Sequence, residues 1–132
     1  MSNFLDFTPT VQIKLDNPLL EASFPSEGSV SAVIDTGYEG FVLVPRSVFH
    51  TLGLNKLRSE SRRLTMANGS PSKTQGAYAV LRIPHISLRI DGFVETLAGL
   101  EEILVGVEAL SKMRVLLDYC AKRVSMEKCN RP

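Results

Sequence analysis

Residues 31–45, SAVIDTGYEGFVLVP, place one acidic side chain between two apolar runs. Asp35 ends the first run and is followed directly by Thr36 and Gly37. The nearest cationic residue downstream is Arg46, so the carboxylate has no ion-pair partner close by in the sequence. A carboxylate in apolar surroundings needs hydrogen-bond donors or a shared proton. Two interpretations follow: a carboxylate that performs acid–base chemistry, or an Asp-Thr-Gly turn at the corner of a hairpin.

The segments on either side favour the first interpretation, because both are predicted strands. Residues 29–34 alternate so that Val30, Ala32 and Ile34 share one face. Residues 41–44, FVLV, are too short and too rich in β-branched residues to favour a helix. An Asp held between two strands lies on a rigid, largely buried element, and Gly37 allows a ligand or another backbone to approach closely.

Two further segments are candidates for the same site. Asn68-Gly69, within ANGSPSKTQG, predicts a tight hairpin, since both residues tolerate a positive φ. Residues 103–106, ILVG, form an apolar run that ends in Gly106 just before a predicted helix. Taken alone, the first is explained by an ordinary surface hairpin and the second by a core strand. The basic residues between the predicted helix and this hairpin are interleaved with an acidic one and predict a solvated face. They are Lys56, Arg58, Arg62 and Arg63.

The remaining elements are mostly strands. Residues 10–15 alternate and end at the turn Asn17-Pro18, and Pro84 ends another strand. Asp91-Gly92 predicts a second hairpin turn, and residues 107–113 predict a helix of about two turns. A short helix is predicted after Pro45, with Gly53 as its stop, and a final strand pair covers 114–119 and 123–127. The pattern predicts a mainly β fold with short helices and a small closed or barrel-like sheet.

Composition sets the broad class of the protein. A chain of 132 residues with 44% apolar and 22% charged residues is typical of one globular domain, here 1–132. A net charge of +1 favours neither nucleic acid nor an anionic membrane as a partner. No stretch approaches the roughly 20 apolar residues of a membrane span, and no secretory signal is recognised, so a cytoplasmic location is expected. Free thiols are favoured for Cys120 and Cys129, although a disulfide stays open.

The Asp-Thr-Gly, hairpin and ILVG segments, in this order, resemble the retropepsin-like aspartic proteases, which are single-domain relatives of retroviral proteases. The resemblance is stronger to the predicted prokaryotic aspartyl proteases, which carry Asp-Thr-Gly, an aromatic residue, any residue, Gly and Phe. That pattern is matched at residues 35–41, DTGYEGF, and the similarity extends from about Thr10 to Glu127. The resemblance implies a small closed β-barrel of the retropepsin type with one or two short helices.

The resemblance also implies a role for each motif residue. Asp35 corresponds to the catalytic carboxylate, Thr36 to the residue whose hydroxyl bonds across the subunit interface, and Gly37 to the glycine beside the substrate backbone. Tyr38 stands where retroviral enzymes have a small Ala and is expected to narrow the substrate channel. Val107 stands where they have the Arg of a structural ion pair, so that ion pair is expected to be missing. The remaining residues implied at the substrate site are the flap tip, Asn68, Gly69 and Ser70, and the segment behind the active loop, Leu104, Val105 and Gly106.

The chemistry of aspartic proteolysis fixes the stoichiometry. One carboxylate takes a proton from water while a second, protonated, donates to the substrate carbonyl. The chain has one Asp-Thr-Gly, so a second copy must supply the other carboxylate, in a two-fold dimer with one shared proton. The sequence predicts a homodimeric aspartic endopeptidase that cuts extended peptides without metal or cofactor. The alternatives are a non-catalytic peptide-binding or dimerisation module with the same fold, and a structural β protein in which Asp35 only caps a turn.

Overall fold

The computed structural model describes residues 3–65, 69 and 71–129, and this part of the chain is mainly β. The strands are β1 (Asn3–Leu5), β2 (Thr8–Asn17), β3 (Ala22–Phe24), β4 (Val30–Ile34), β5 (Val42–Val44), β6 (Glu60–Thr65), β7 (Pro71–Ile83), β8 (Leu88–Thr96), β9 (Leu104–Val105), β10 (Met113–Asp118) and β11 (Arg123–Lys128). The helical segments are α1 (Arg46–Thr51), α2 (Val107–Leu110) and two 3₁₀ turns, Leu54–Lys56 and Pro84–Ile86. The prediction of a mainly β fold with short helices is confirmed.

The strands close into a ring. The hydrogen-bonded order β2-β4-β9-β5-β8-β7 returns to its start, because β7 also pairs with β2. The β4–β9 and β5–β8 pairs are parallel, and the other pairs of the ring are antiparallel. Outside the ring, β3 pairs with β2, β6 pairs with β7, and β1, β11 and β10 extend the sheet beyond β2. The predicted closed sheet is confirmed, and β4, β9 and β5 lie side by side within it.

The core fills the inside of this ring, and the alternation along β2 shows why. Val11, Ile13 and Leu15 are fully buried, while Gln12 and Lys14 between them are not. An alternating strand presents every second side chain to one face, so the sequence pattern alone fixes which side faces the core. Aliphatic and aromatic side chains from the other elements complete the core. They include Phe41, Val42, Val44, Phe49, Leu52, Leu54, Leu81, Ile83, Val94 and Val105.

The first helix begins and ends close to the predicted residues. Pro45 precedes α1, and Gly53 adopts a left-handed φ of 70° just after it, as a helix stop does. The helix buries Val48 and Phe49 against the ring. The helix follows β5 almost directly, with only Pro45 between them.

The second hairpin prediction was wrong. Strand β8 runs without a break through Asp91-Gly92, and the turn between β7 and β8 lies earlier, at Pro84–Ile86. A Cβ atom on Gly92 would lie 2.4 Å from a ring carbon of Phe41, so the glycine makes room for an aromatic ring. The local Asp-Gly signal for a turn is overridden here by packing across the sheet.

The second helix is also shorter than predicted. The α-helix covers only Val107–Leu110, a single turn instead of about two. Met113, assigned to that helix from its spacing, begins β10 and is buried there at 6% exposure. Its apolar side chain packs in the core from a strand. Over so short a segment, helical spacing does not distinguish a residue of a helix from the first residue of a strand.

The hairpin formed by β6 and β7 matches the prediction around Asn68-Gly69. The two strands pair in antiparallel register from Glu60 opposite Gly76 to Thr65 opposite Pro71. Gly69 is exposed and has a φ of 85°, which is typical of a tight turn. Asn68 and Ser70 lie outside the described residues.

Two smaller features complete the description. Cys120 and Cys129 are both exposed free thiols, as favoured from the sequence. Within the described part of the chain, no helix combines the length and the apolar character that a membrane crossing requires.

Candidate functional site

The Asp-Thr-Gly loop connects β4 to β5 across the end of β9. Strand β9 lies between them, with Ile34 opposite Val105 on one side and Val42 opposite Val105 on the other. Residues 35–41 therefore form a loop that passes over the end of β9. The backbone N–H of Gly106 donates to the carbonyl oxygen of Phe41 at 2.9 Å. The loop is thus fixed by strands on both sides and by the segment that follows β9.

Asp35 lies where β4 ends, with its side chain partly exposed. Its backbone N–H donates to the Val105 carbonyl oxygen at 2.9 Å, and its own carbonyl oxygen accepts the N–H of Tyr38 at 3.2 Å. One carboxylate oxygen, Oδ1, accepts the backbone N–H of Gly37 at 2.9 Å. The carboxylate therefore does cap a turn, but it does so on a loop whose position the sheet determines.

The other implied residues divide into an exposed set and a buried set. Thr36 and Gly37 are exposed beside the carboxylate, whereas Val105 is fully buried and Leu104 partly so. Gly106 is buried, and a Cβ atom on it would lie 2.2 Å from the carbonyl oxygen of Gly40. The apolar-apolar-Gly segment thus packs directly behind the loop.

The side chain of Tyr38 faces the interior and does not line an open channel in the single chain. It is 5% exposed and packs with Leu43 and Leu97. Its hydroxyl donates a short hydrogen bond to the carboxylate of Glu95. The expectation that Tyr38 narrows a substrate channel is therefore not supported by its burial.

Glu95 is a buried acidic residue that the sequence reasoning missed. It is fully buried in β8, and its carboxylate accepts the hydroxyl of Thr74 at 2.7 Å as well as that of Tyr38. Arg62 bonds it through two nitrogens, Nε to Oε1 at 2.5 Å and Nη2 to Oε2 at 2.7 Å. We refer to Tyr38, Arg62, Thr74 and Glu95 as the Glu95 cluster.

The Glu95 cluster corrects the expectation that Arg62 belongs to a solvated basic face. Arg62, assigned to a solvated basic face, pairs with a buried carboxylate, although 42% of its own side chain stays exposed. This ion pair lies next to the Asp-Thr-Gly loop, because Glu95 also accepts the hydroxyl of Tyr38. The available signal was Glu95 itself, an acidic residue in the strand segment FVETL between residues that are otherwise apolar or uncharged.

The electrostatics of the Glu95 cluster favour an ionised pair. Burial alone would raise the pKa of Glu95, but the hydrogen bonds from Arg62, Tyr38 and Thr74 outweigh it, and the pKa lies below its ordinary value. The hydrogen bond to Glu95 raises the pKa of Arg62. Burial, together with the neighbouring carboxylate, raises the pKa of the Tyr38 hydroxyl, which stays a donor.

Two of the concave surfaces beside the loop have residues within two positions of Asp35 in their walls. A cavity of about 680 Å³ has Val33, two residues before Asp35, and Glu101 and Glu102 in its wall. A cleft of about 370 Å³ includes Thr36 and is otherwise mostly apolar, with residues of α2 and β10 in its wall. Within residues 3–65, 69 and 71–129, no group of three or more His, Cys, Asp or Glu side chains could hold a metal ion.

Comparison with solved structures identifies the fold. The chain is similar to the EIAV protease in complex with the inhibitor HBY-793, with a TM-score of 0.56 over 81% of this chain and 88% of that chain. The two sequences are 13% identical, so the likeness concerns the fold alone. Because the EIAV protease is a retropepsin, the predicted retropepsin type of fold is confirmed.

Comparison of sequences gives the family. No family model matches the chain. A curated protein of Archaeoglobus fulgidus, described as an uncharacterized protein, is 44% identical over 126 residues, which cover 96% of this chain and 98% of that protein. The chain therefore belongs to the same family as this Archaeoglobus fulgidus protein and has a retropepsin-like fold.

Proposed function

We propose that the chain is a homodimeric aspartic endopeptidase, a hydrolase that cuts extended peptide segments. The observation that carries the proposal is the position of Asp35, whose carboxylate lies at the end of β4 on a loop fixed by β9 in a retropepsin-like fold. A plain turn residue would not need this support from a strand that lies about 70 positions later in the sequence. The proposal treats residues 1–132 as one domain acting in the cytoplasm.

The dimer follows from the number of carboxylates. Aspartic proteolysis uses two, and Asp35 is the one that the Asp-Thr-Gly motif provides. The exposed Thr36 and the apolar cleft beside it, lined by Val107, Leu110 and Met113, support an interface at this face. A second copy related by a two-fold axis would cover the cleft and set its own Asp35 opposite the first.

The proposed reaction uses no metal or cofactor. One Asp35 carboxylate takes a proton from a water molecule, whose oxygen forms a bond to the peptide carbonyl carbon, while the protonated partner carboxyl donates to the carbonyl oxygen. The tetrahedral intermediate then breaks its C–N bond: the carboxyl that took the water proton gives it to the leaving nitrogen, and the partner carboxylate takes a hydroxyl proton from the intermediate as the new carboxyl group forms, which restores the shared proton. Gly37, which is exposed beside the carboxylate, would lie next to the substrate backbone.

Residues outside the Asp-Thr-Gly motif complete the proposed site. The tip of the β6–β7 hairpin would cover the peptide, and the segment after residue 103 supports the loop from behind. Tyr38 then contributes through its buried hydroxyl and not through contact with substrate. The residues proposed here are Asn68, Gly69 and Ser70 at the tip, and Leu104, Val105 and Gly106 behind the loop.

A peptide library tests the proposal. The wild-type protein is incubated with diverse peptides between about pH 4 and 7, the range in which a shared-proton carboxylate pair is able to act. Cleavage that a statine-containing peptide blocks, and that Asp35→Asn abolishes, supports the endopeptidase. Asp91→Asn is the matched control, because Asp91 is an exposed carboxylate on β8, and it should cleave normally. Binding of the statine peptide without any cleavage would favour the non-catalytic peptide-binding module.

A further inference from the structure

We propose that Glu95 is a positioning residue that fixes the base of the β6–β7 hairpin to the Asp-Thr-Gly loop. The buried carboxylate bonds three separate elements: Tyr38 in the loop, Arg62 on β6 and Thr74 on β7. The catalytic meaning of this link rests on the proposed function, in which the hairpin covers the peptide. The link itself is a property of the fold and is testable without catalysis.

The contacts on the hairpin side join both strands at one level. Arg62 and Thr74 lie directly opposite each other in the β6–β7 ladder. The Thr74 hydroxyl also lies 3.3 Å from the carbonyl oxygen of Arg62, so the two strands and the carboxylate meet at one point. Movement of either strand at this level would break a hydrogen bond to Glu95.

The contact on the loop side is equally defined. The N–H of Tyr38 donates to the Asp35 carbonyl oxygen, and its carbonyl oxygen accepts the N–H of Val107 at 2.9 Å. The backbone of the tyrosine is therefore part of the structure that holds the carboxylate of Asp35. The Tyr38 hydroxyl bonds Glu95, and Glu95 bonds Arg62 and Thr74 of the hairpin. The loop and the hairpin are therefore connected through the Glu95 carboxylate.

The energetics indicate that the Glu95 carboxylate makes a specific hydrogen-bonded link and does not merely fill space in the core. A buried carboxylate is tolerated only when donors compensate for its lost hydration, and here guanidinium, phenol and hydroxyl donors do so together. Removing one donor leaves part of the Glu95 charge and some of its lone pairs uncompensated. The hydrogen bonds from the remaining donors should therefore weaken or rearrange. A hydrophobic filler would show no such coupling.

The lever is short. The pair Arg62–Thr74 lies three ladder positions below Thr65 opposite Pro71, the last described pair before the tip. At about 3.4 Å per residue, the base is roughly 10 Å from that pair. A small rotation at the base therefore becomes a larger displacement where the hairpin would meet a peptide.

Hydrogen exchange on the full chain tests the link. We expect Tyr38→Phe, which removes one hydroxyl outside the hairpin, to speed amide exchange at residues 60–65 and 71–76 by roughly tenfold, the factor for a hydrogen bond to a charged group. Glu95→Gln should give a larger effect in the same residues. Arg82→Met is the matched control: it removes an ion pair whose arginine is about as exposed as Arg62 from the far part of β7, and it should leave the hairpin unchanged.

Unchanged hairpin exchange in Tyr38→Phe would overturn the inference, and this holds even if Glu95→Gln fails to fold. An equal increase in Arg82→Met would overturn it too, since any ion pair would then suffice. If wild type cleaves peptides, Tyr38→Phe should raise KM more than it lowers kcat, while a merely structural role would lower the apparent kcat with the folded fraction and leave KM unchanged. A loosened hairpin in a protein that cleaves nothing would leave the link in place and reject the peptidase.

Discussion

The α-carbon of Gly106 faces the carbonyl oxygen of Gly40 so closely that a Cβ atom at Gly106 would lie 2.2 Å from that oxygen. The same Cβ atom would lie 2.7 Å from the carbonyl oxygen of Tyr38. Both obstacles are backbone atoms of the loop that carries Asp35, so neither is able to rotate away. The loop and the end of β9 are in contact at the limit that a glycine allows.

Gly106→Ala should therefore destabilise the protein by about 3 kcal/mol, the upper part of the usual range for overpacking. Urea denaturation followed by circular dichroism measures the change. Gly99→Ala is the control: its φ of 84° is strained for alanine, but no atom lies within 4 Å of the added carbon, and the expected loss is about 1 kcal/mol. Equal losses for the two variants would contradict the close contact behind the loop.

Gly92 gives a second packing prediction, because its neighbour is a side chain and not backbone. Gly92→Ala should destabilise by about 2 kcal/mol, since the added carbon would lie 2.4 Å from the buried ring of Phe41. In the background of Phe41→Leu the same change should be less costly, because the ring is absent. Additive losses in the double variant, measured by the same denaturation, would show that ring and glycine do not compete for space.

The pH dependence of stability follows from Glu95. Its pKa lies below the ordinary value of 4.5, because the bonds from Arg62, Tyr38 and Thr74 outweigh the rise caused by burial. A depressed acid pKa means that the unfolded chain binds protons first. The contribution to stability is therefore complete above about pH 4.5 and is lost as the pH falls through the folded pKa.

Denaturation at a series of pH values checks this sign. Wild type should lose stability steadily below about pH 4.5, and Glu95→Gln should show a shallower loss. Glu127→Gln removes an exposed ion pair with Arg114 and should keep the wild-type slope, because such pairs contribute little. A Glu95→Gln protein with the wild-type slope would exclude the ionised carboxylate as the cause.

Thr36 provides a test of the proposed dimer. Its side chain is exposed in the single chain, and the proposal has its hydroxyl bonding across the two-fold axis. Thr36→Val should raise the dimer dissociation constant by roughly tenfold or more, since two symmetric hydrogen bonds are lost. Sedimentation equilibrium measures the constant, with the exposed Thr51→Val as the control. A wild-type chain that stays monomeric at micromolar concentration and still cleaves would refute the shared site.

Much of the fold was predictable because it depends on local patterns. The alternation along β2, the β-branched segment at Val42–Val44 and the Gly53 stop each follow from a few neighbouring residues. The position of the Asp-Thr-Gly loop between two strands was predictable for the same reason. These features need no knowledge of what lies across the sheet.

The predictions that failed concern residues whose role depends on contacts with distant parts of the chain. The local sequence at Gly92 predicts a turn, but the structure uses the glycine because a larger residue would collide with the ring of Phe41. Glu95 and Arg62 are 33 positions apart, so nothing local indicates that one compensates for the burial of the other. Tyr38 was assigned by position in a motif, and only the structure shows that its hydroxyl turns inward. Contacts between distant segments decided each of these residues.

The two-residue strand β9 fills the gap between β4 and β5, although about 70 residues separate it from β4 in the chain. Contacts of such long sequence separation form late in folding. The entropy cost of closing a long loop must be met before these contacts contribute any stabilisation. During synthesis, the gap beside Asp35 stays empty until Leu104 and Val105 have been made. We therefore expect the loop to take its final shape only after residues 104 and 105 have been made, so the Asp35 carboxylate of a shorter nascent chain is not yet held in its final position.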